Sequence, residues 1–337
     1  MELFVEFKRG PTSDPFSELG FKGAFPKHFD TSCDIRGQMT LYSTRMQMYQ
    51  FRTCIFSVGI FGNVARLFRW DRAGAIVSAP IEYSVAGNRE LSEFFYRFDR
   101  ANRTQRGWDP TIHDAGSEET AAFAQAIQTI AGEKDTALLG SLLESVGDPR
   151  EFPRKKVNIT KQKASYIIGR SLVAAESPTG RATRCFVAMD VDTKKLVFLK
   201  DSWRPDLLEM KPESHWYKKV KGGSNLAAFL HGSDVEYPME GGEEGPTQRT
   251  ITDLHFAKFC EISGMMGYLH HRTVQSEFYL PLKTFKDSQN LTQIMSDVIV
   301  GKCLSCLFSV SPLTLLQRYR IFTKWGCFTE TLAPRTS

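Results

Sequence analysis

Ten residues determine how this sequence is interpreted: Lys194-Lys195-Leu196-Val197-Phe198-Leu199-Lys200-Asp201-Ser202-Trp203. A short apolar run bounded by charged residues is typical of a buried β-strand. The preceding run, 184–191, has the same character, and Asp192-Thr193 is a short polar connection, so the two runs predict a β-hairpin. The hairpin would bring the Lys200 ammonium to the edge of a cleft. The alternative is a solvated lysine at the end of a strand.

The composition bounds the class of protein. A length of 337 residues suffices for two ordinary domains, and 42% hydrophobic with 24% charged residues is typical of a globular chain. No apolar run approaches the ~20 residues that cross a bilayer, and the charged start is unlike a signal peptide, so we expect an intracellular location, cytoplasmic or nuclear, and no membrane partner. Seven cysteines, an odd number, fit a reducing compartment. A net charge of +5 gives no reason to expect a nucleic-acid partner.

Residues 1–110 are expected to form a first module, which begins with a strand. The segment Glu2–Lys8 alternates polar and apolar residues, so Glu6 and Lys8 share one strand face, about 7 Å apart along the strand. A carboxylate and an ammonium placed in this way could hold a divalent ion and position a water molecule. The alternative is a surface ion pair on an exposed strand face.

Further elements of this module follow from local patterns. The sequence predicts a helix over Ile35–Phe51, strands over Thr53–Ile60 and Val64–Trp70, a strand over Ala75–Ser78, and a helix over Leu91–Phe98. The two longer strands are separated by a Gly-Asn turn signal, which favours a hairpin.

A strand with Glu-x-Lys followed by a helix with Gln-x-x-x-Tyr resembles the PD-(D/E)XK, restriction-endonuclease-like fold. The resemblance implies a metal-binding aspartate on the strand that precedes the Glu-x-Lys strand, but here Met1 stands at the start of the Glu-x-Lys strand itself, so we expect no such aspartate. We therefore expect a nuclease-like α/β module without cleavage activity. The residues of its degenerate metal site would be Glu6, Lys8, Gln38 and Tyr42.

Residues 111–155 are predicted to be a helical linker. Ser117–Ile130 has a capping serine and two glutamates in its first turn, which favour the positive end of a helix. A second short helix is predicted over Asp135–Glu144.

The second module is predicted over residues 156–300. A strand over Ser165–Val173 precedes the hairpin that carries Lys200, and a helix is expected to begin at Pro212. Glu213 on this helix is the candidate partner of Lys200, with Glu209 as the alternative. The resulting fold class is α+β, with an antiparallel sheet and one main helix in the second module and an irregular tail over 301–337.

The order of these segments resembles the fungal-type protein kinase family, whose small lobe carries a lysine on its third strand. The motifs that support the resemblance are Glu6-Phe7-Lys8, Arg69-Trp70-Asp71-Arg72-Ala73-Gly74-Ala75, Leu199-Lys200-Asp201-Ser202-Trp203-Arg204-Pro205 and Pro281-Leu282 with Phe285. The resemblance implies ATP and magnesium as cofactors and Ser/Thr phosphoryl transfer to an unidentified protein. The implied nucleotide-binding residues are Lys200, Glu213 and Glu277, the last on the strand that would lead to the hinge.

The resemblance ends before the catalytic loop. His270-His271-Arg272-Thr273 has threonine where the catalytic aspartate belongs, and the sequence contains no Asp-Phe-Gly. We therefore assign no catalytic residue and expect a truncated, inactive chain with a fungal-type kinase domain and weak binding of nucleotide. The alternatives are a pseudokinase fragment that acts as a non-catalytic protein-interaction module, and a metal-dependent nuclease.

Overall fold

The computed structural model describes residues 1–16, 27, 30–131, 142–144, 146–173, 175–219, 228–239, 244–259, 265–276 and 287–296. Within these ranges no helix combines the length and apolar character needed to traverse a membrane. The helices of these ranges are α1 (Asp30–Tyr49), α2 (Glu90–Arg100), α3 (Ser117–Ala131), α4 (Glu213–Lys219), α5 (Thr252–Phe259) and α6 (288–296), and residues 142–144 and 146 are also helical.

The strands form three sheets in the described part of the chain. They are β1 (Phe4–Lys8), β2 (Ile55–Phe61), β3 (Val64–Asp71), β4 (Gly74–Val77), β5 (Ile112–Asp114), β6 (Lys155–Ile159), β7 (Ala164–Ile168), β8 (Arg184–Asp190), β9 (Leu196–Pro205), β10 (Phe229–Asp234), β11 (Glu236–Pro238), β12 (Glu244–Thr247) and β13 (Tyr268–Gln275). The predicted α+β class is therefore confirmed.

The first sheet has the order β1-β2-β3-β4, with β1 parallel to β2 and the other pairs antiparallel. Its two faces are covered by different helices because side chains alternate along each strand. Ile35 and Met39 of α1 pack in one core with Phe68 of β3. On the opposite face, Phe56 of β2 contacts Phe98 of α2, with ring centroids 5.9 Å apart.

The second sheet has seven antiparallel strands in the order β10-β13-β9-β8-β7-β6-β5. It is strongly curled. In a flat sheet, β10 and β7 would lie about 19 Å apart, at about 4.8 Å per strand. Instead, the Tyr166 hydroxyl on β7 lies 2.7 Å from His231 Nε2 on β10, and Ser233 on β10 donates to Gln162 at 3.2 Å. The curl encloses one face of the sheet.

Both faces of the curled sheet carry buried apolar residues. The enclosed face carries Val197 and Leu199 of β9 together with Val274 of β13. The outer face is covered at one end by α3, whose Phe123 and Ile127 pack in a separate core with strand residues of β7, β8 and β9. Since α3 lies on this sheet, the helix is part of the packing of the second module.

The predicted linker 111–155 contains more than helices. Ile112–Asp114 forms β5 at the edge of the seven-stranded sheet, and β6 begins at Lys155. A three-residue strand is too short to show alternation, so local patterns do not predict it. The predicted helix Asp135–Glu144 lies largely outside the described residues, and the tail 301–337 lies wholly outside them.

Candidate nucleotide site

Lys200 lies on β9, facing α4. Its Nζ is 2.6 Å from Oε2 of Glu213 in the first turn of α4, and the two side chains are only 6% and 10% exposed. Glu209, the alternative partner, lies in the exposed segment before the helix. The sequence thus placed the lysine on the correct element, and the structure brings Glu213 to it.

The residues beside Lys200 on the neighbouring strands are Cys185 on β8 and Thr273 on β13. Burial raises the pKa of the Cys185 thiol to about 12, against the opposing effect of the Lys200 charge, so Cys185 is a neutral packing group. Thr273 Oγ1 and Glu213 Oε1 are buried and have no hydrogen-bond partner among the described residues. Buried polar atoms without partners are uncommon in folded proteins. Beside the Lys200 ammonium, the Thr273 hydroxyl could donate a hydrogen bond to a polar ligand or accept one from it, and the Glu213 carboxylate oxygen could accept one.

A second contact holds α4 against the sheet. Gln275 at the end of β13 donates from Nε2 to the Tyr217 hydroxyl at 2.8 Å, one helical turn after Glu213. The Tyr217 ring also stacks on Phe229 of β10, with centroids 5.1 Å apart. Because Glu213 and Tyr217 are four residues apart, they lie on the same face of the helix. The orientation of Glu213 therefore rests on two neighbouring strands as well as on Lys200.

The residue after Lys200 lies on the opposite, enclosed face of the sheet. Asp201 accepts from Arg184 at 3.0 Å and from His270 Nε2, and Arg272 Nε lies 3.5 Å away. Burial acts to raise the pKa of Asp201, but the charges of His270, Arg272 and Arg184 hold it far below its ordinary value. Asp201 is therefore a buried carboxylate surrounded by cationic groups.

His270 joins this cluster through both ring nitrogens. Nδ1 lies 2.7 Å from Gln248 Oε1, while Nε2 faces the Asp201 carboxylate. The Gln248 amide nitrogen donates to Asp109 at 2.9 Å, which leaves its oxygen to accept from His270. The ring also stacks on Trp203, with centroids 4.7 Å apart. The string His270-His271-Arg272-Thr273, which has threonine where a kinase catalytic loop has its aspartate, lies in the middle of β13.

Asp109 completes the cluster from the end of the first module. Its carboxylate accepts from Arg272 at 2.5 Å, from the Thr111 hydroxyl at 2.7 Å and from the Thr111 amide at 2.9 Å. Burial acts to raise the pKa of Asp109, but the Arg272 charge, with further help from His270, lowers it overall. The sequence reasoning missed this cluster. Charged residues inside apolar, strand-like runs were the available signal.

The Arg-Trp-Asp-Arg motif lies where the first sheet meets the second module. Asp71 accepts from the backbone amides of Ile251 and Thr252, at 2.9 and 3.1 Å, and so caps the first turn of α5. The next residue, Arg72, donates to the Ser177 carbonyl at 3.1 Å. Burial, with the nearby Arg184 charge, lowers the pKa of Arg72 to about 9. The motif therefore connects the two modules.

The four residues of the predicted nuclease-like site lie together between β1 and α1. Lys8 Nζ is 2.7 Å from Glu6 Oε1 and 2.9 Å from Gln38 Oε1, and Gln38 donates to the Tyr42 hydroxyl at 2.7 Å. Within the described ranges, no group of three or more His, Cys, Asp or Glu residues could hold a metal ion. The Glu6 carboxylate is thus already neutralised by Lys8, and its role in metal binding stays a prediction.

Glu277 and the segment with Pro281, Leu282 and Phe285 lie outside the described residues. The strand leading toward them, β13, ends at Gln275.

The chain is similar to a known protein family. A family model described as fungal protein kinase matches residues 37–305, which is most of the chain. No curated protein and no solved structure matches it significantly. The matched range includes Lys200, Glu213 and the motif around Asp71.

Proposed function

Because the chain belongs to the fungal protein kinase family, we propose that its second module binds ATP, with the Lys200 ammonium contacting the phosphates. The observation that supports this proposal is the buried contact of 2.6 Å between Lys200 and Glu213. In protein kinases such a pair orients a lysine toward the nucleotide phosphates. Glu213 Oε1 and Thr273 Oγ1, which have no hydrogen-bond partner among the described residues, are further polar atoms beside Lys200.

The described part of the chain contains no cluster of side chains that could bind magnesium. No step is therefore assigned to it. The sequence also has no Asp-Phe-Gly and no aspartate in the expected catalytic-loop string. Phosphoryl transfer depends almost entirely on positioning and charge neutralisation. We therefore expect these residues to bind nucleotide without transferring phosphate.

Calorimetric titration with ATP, in the presence and absence of Mg²⁺, tests the proposal. Lys200→Met should weaken binding about tenfold or more, because a charge-assisted contact to phosphate is lost. Lys195→Met is the matched control, since Lys195 is exposed on the same hairpin. Saturable binding by the native chain and by the control, but not by Lys200→Met, supports the proposal. Absence of binding by the native chain, or equal affinity of all three proteins, contradicts it.

Catalysis is tested separately by incubating the purified chain with labelled ATP and a generic Ser/Thr substrate. We expect phosphate incorporation no higher than that of Lys200→Met. Incorporation that depends on Lys200 would contradict the proposed lack of transfer while leaving nucleotide binding intact.

A second candidate function is protein interaction, and one feature favours it. An open cleft of about 360 Å³ lies where the β3–β4 turn approaches the second module. Its lining residues are Ala73, Thr179, Phe256, Met265, Met266 and Tyr268. If this cleft holds an apolar side chain of a partner, Met266→Glu should abolish capture of a purified partner that Lys200→Met still captures. Equal capture by both variants would contradict this second role.

A further inference from the structure

We infer that Asp109 is a positioning residue for Lys200, through which the placement of the first module is transmitted to the strand that carries the ammonium. The inference deepens the proposed nucleotide site and rests on that proposal only for its affinity readout. It follows from the way in which consecutive residues of β9 and β13 face opposite sides of one sheet.

The first step is the alternation along β9. Lys200 faces α4, where it contacts Glu213, and Asp201 therefore faces the enclosed interior. A shift of Asp201 within the interior must move the backbone that also carries Lys200. The two side chains are adjacent in the chain and cannot be displaced independently.

The second step is the register between β9 and β13. Asp201 pairs with Arg272, and Lys200 pairs with Thr273. Arg272 is buried in the enclosed interior, and its Nε is 3.5 Å from the Asp201 carboxylate. The charged residue of β13 thus faces the charged residue of β9 directly, on the side of the sheet opposite Lys200.

The third step is the contact between Arg272 and the end of the first module. The Arg272 guanidinium donates to Asp109 Oδ2 at 2.5 Å and to the Thr111 hydroxyl at 2.7 Å. Thr111 in turn donates to Asp109 Oδ1 at 2.7 Å. Arg272 is nearly inaccessible to solvent, so its position depends on these protein partners.

The fourth step is the attachment of Asp109 to the first module. Its backbone amide donates to the Phe51 carbonyl at 3.0 Å, and the preceding residue, Trp108, pairs as an isolated bridge with Arg52. The Trp108 indole also donates to Glu2 at 2.9 Å. The backbone position of Asp109 is consequently tied to the first module.

Trace acetylation of the full chain tests this inference without nucleotide. The rate of modification at Lys200, relative to the exposed Lys195, reports how often the buried ammonium becomes accessible. Asp109→Asn should raise the Lys200 rate about tenfold, because Arg272 loses the nearer of its two carboxylate partners. Asp14→Asn is the matched control: Asp14 forms a buried pair of 2.7 Å with Arg66 wholly inside the first module.

Thr111→Val provides a milder variant in case Asp109→Asn does not fold. It removes the hydroxyl that links Asp109 to Arg272 but leaves every charge in place. We expect the Lys200 rate to rise about threefold in this variant. Both rises should be accompanied by a weaker affinity for ATP, while Asp14→Asn should leave rate and affinity unchanged.

The outcomes separate this inference from the nucleotide proposal. A folded Asp109→Asn or Thr111→Val chain with a native Lys200 rate overturns the inference. So does an equal rise in Asp14→Asn, which would show a general loss of stability. If the native chain binds no ATP, the nucleotide proposal fails, and the labelling rates still decide the role of Asp109.

Discussion

Lys200 and Glu213 form a buried ion pair, and its contribution to the free energy of unfolding depends on which residues replace it in a variant. Removing charges from water is costly, and the mutual attraction repays that cost only when both partners are present. The Lys200 Nζ to Glu213 Oε2 distance of 2.6 Å and the low exposure of both side chains satisfy that condition.

Glu213→Gln should lower the free energy of unfolding by about 3 kcal/mol, because it leaves the buried Lys200 charge without its partner. Adding Lys200→Met to that variant should recover part of the loss, since a neutral apolar group then fills the site. Urea denaturation of the native, single and double variants measures both effects. Losses that simply add would show that the two side chains do not interact.

The site was only partly predictable from sequence. Lys200 was identified from an apolar run that ends in one charge, and Glu213 from its place at a helix start. By contrast, Asp201 lies next to Lys200 in the sequence, and its partner Arg184 is on the other strand of the predicted hairpin, but its partner His270 is on β13. No local pattern specifies that β13 lies beside β9, so the whole cluster could not be assembled from sequence.

The first turn of helix α5 is capped by a side chain of the first module. Asp71, at the end of β3, accepts from two amides of the first turn of α5 and also from Arg69 at 2.8 Å. A carboxylate at a helix start satisfies free amides and interacts favourably with the helix dipole. The sequence predicted the strand and its turn but not this contact, because the two segments are far apart in the chain.

Asp71→Ala should lower the free energy of unfolding by about 2 kcal/mol, since both the cap and a buried hydrogen-bond network are lost. Amide hydrogen exchange at Ile251 and Thr252 should accelerate in the same variant. Glu93→Ala, which removes an exposed pair with Arg97, is the control and should change neither measurement. Unchanged exchange at the two amides of Asp71→Ala would contradict the capping role.

Most helices and strands of the described chain follow their predicted positions within a few residues. The hairpin that carries Lys200 appears as β8 and β9, and the helix with Gln38 and Tyr42 appears as α1. Helix α1 begins earlier than predicted, at Asp30, where an acidic first residue suits the positive end of the helix. Local patterns define such elements because backbone preference and side-chain alternation act over a few residues.

The two modules are joined through buried charge, and this gives the whole chain an expected response to acid. Asp109, Asp201 and Asp234 each have a pKa held below the ordinary value despite burial, which acts to raise it. Neighbouring cationic groups lower these pKa values, and for Asp234 the groups are Arg204 and His271. An unfolded aspartate has a pKa of about 3.9.

Stability contributed by these groups is therefore fully present above about pH 4 and is lost as the pH falls through their lower folded pKa values. We expect the midpoint of urea unfolding to be nearly constant between about pH 7 and 5 and to fall steeply below about pH 4. Asp201→Asn should lower stability at neutral pH and reduce the steepness at acidic pH. Equal acid sensitivity of native and variant chains would contradict the role of Asp201.

Sequence alone determined the α+β class, the membership of the fungal protein kinase family and most helix and strand positions, because these follow from short-range patterns and motif order. The nuclease-like character of the first module and the boundaries of the modules stay predictions. Only the tertiary structure decided three features: the curl of the seven-stranded sheet, the contact between Asp109 and Arg272, and the capping of α5 by Asp71. The contacts of Asp109 and Asp71 join residues more than a hundred positions apart, and such pairings depend on the packing of all the intervening elements.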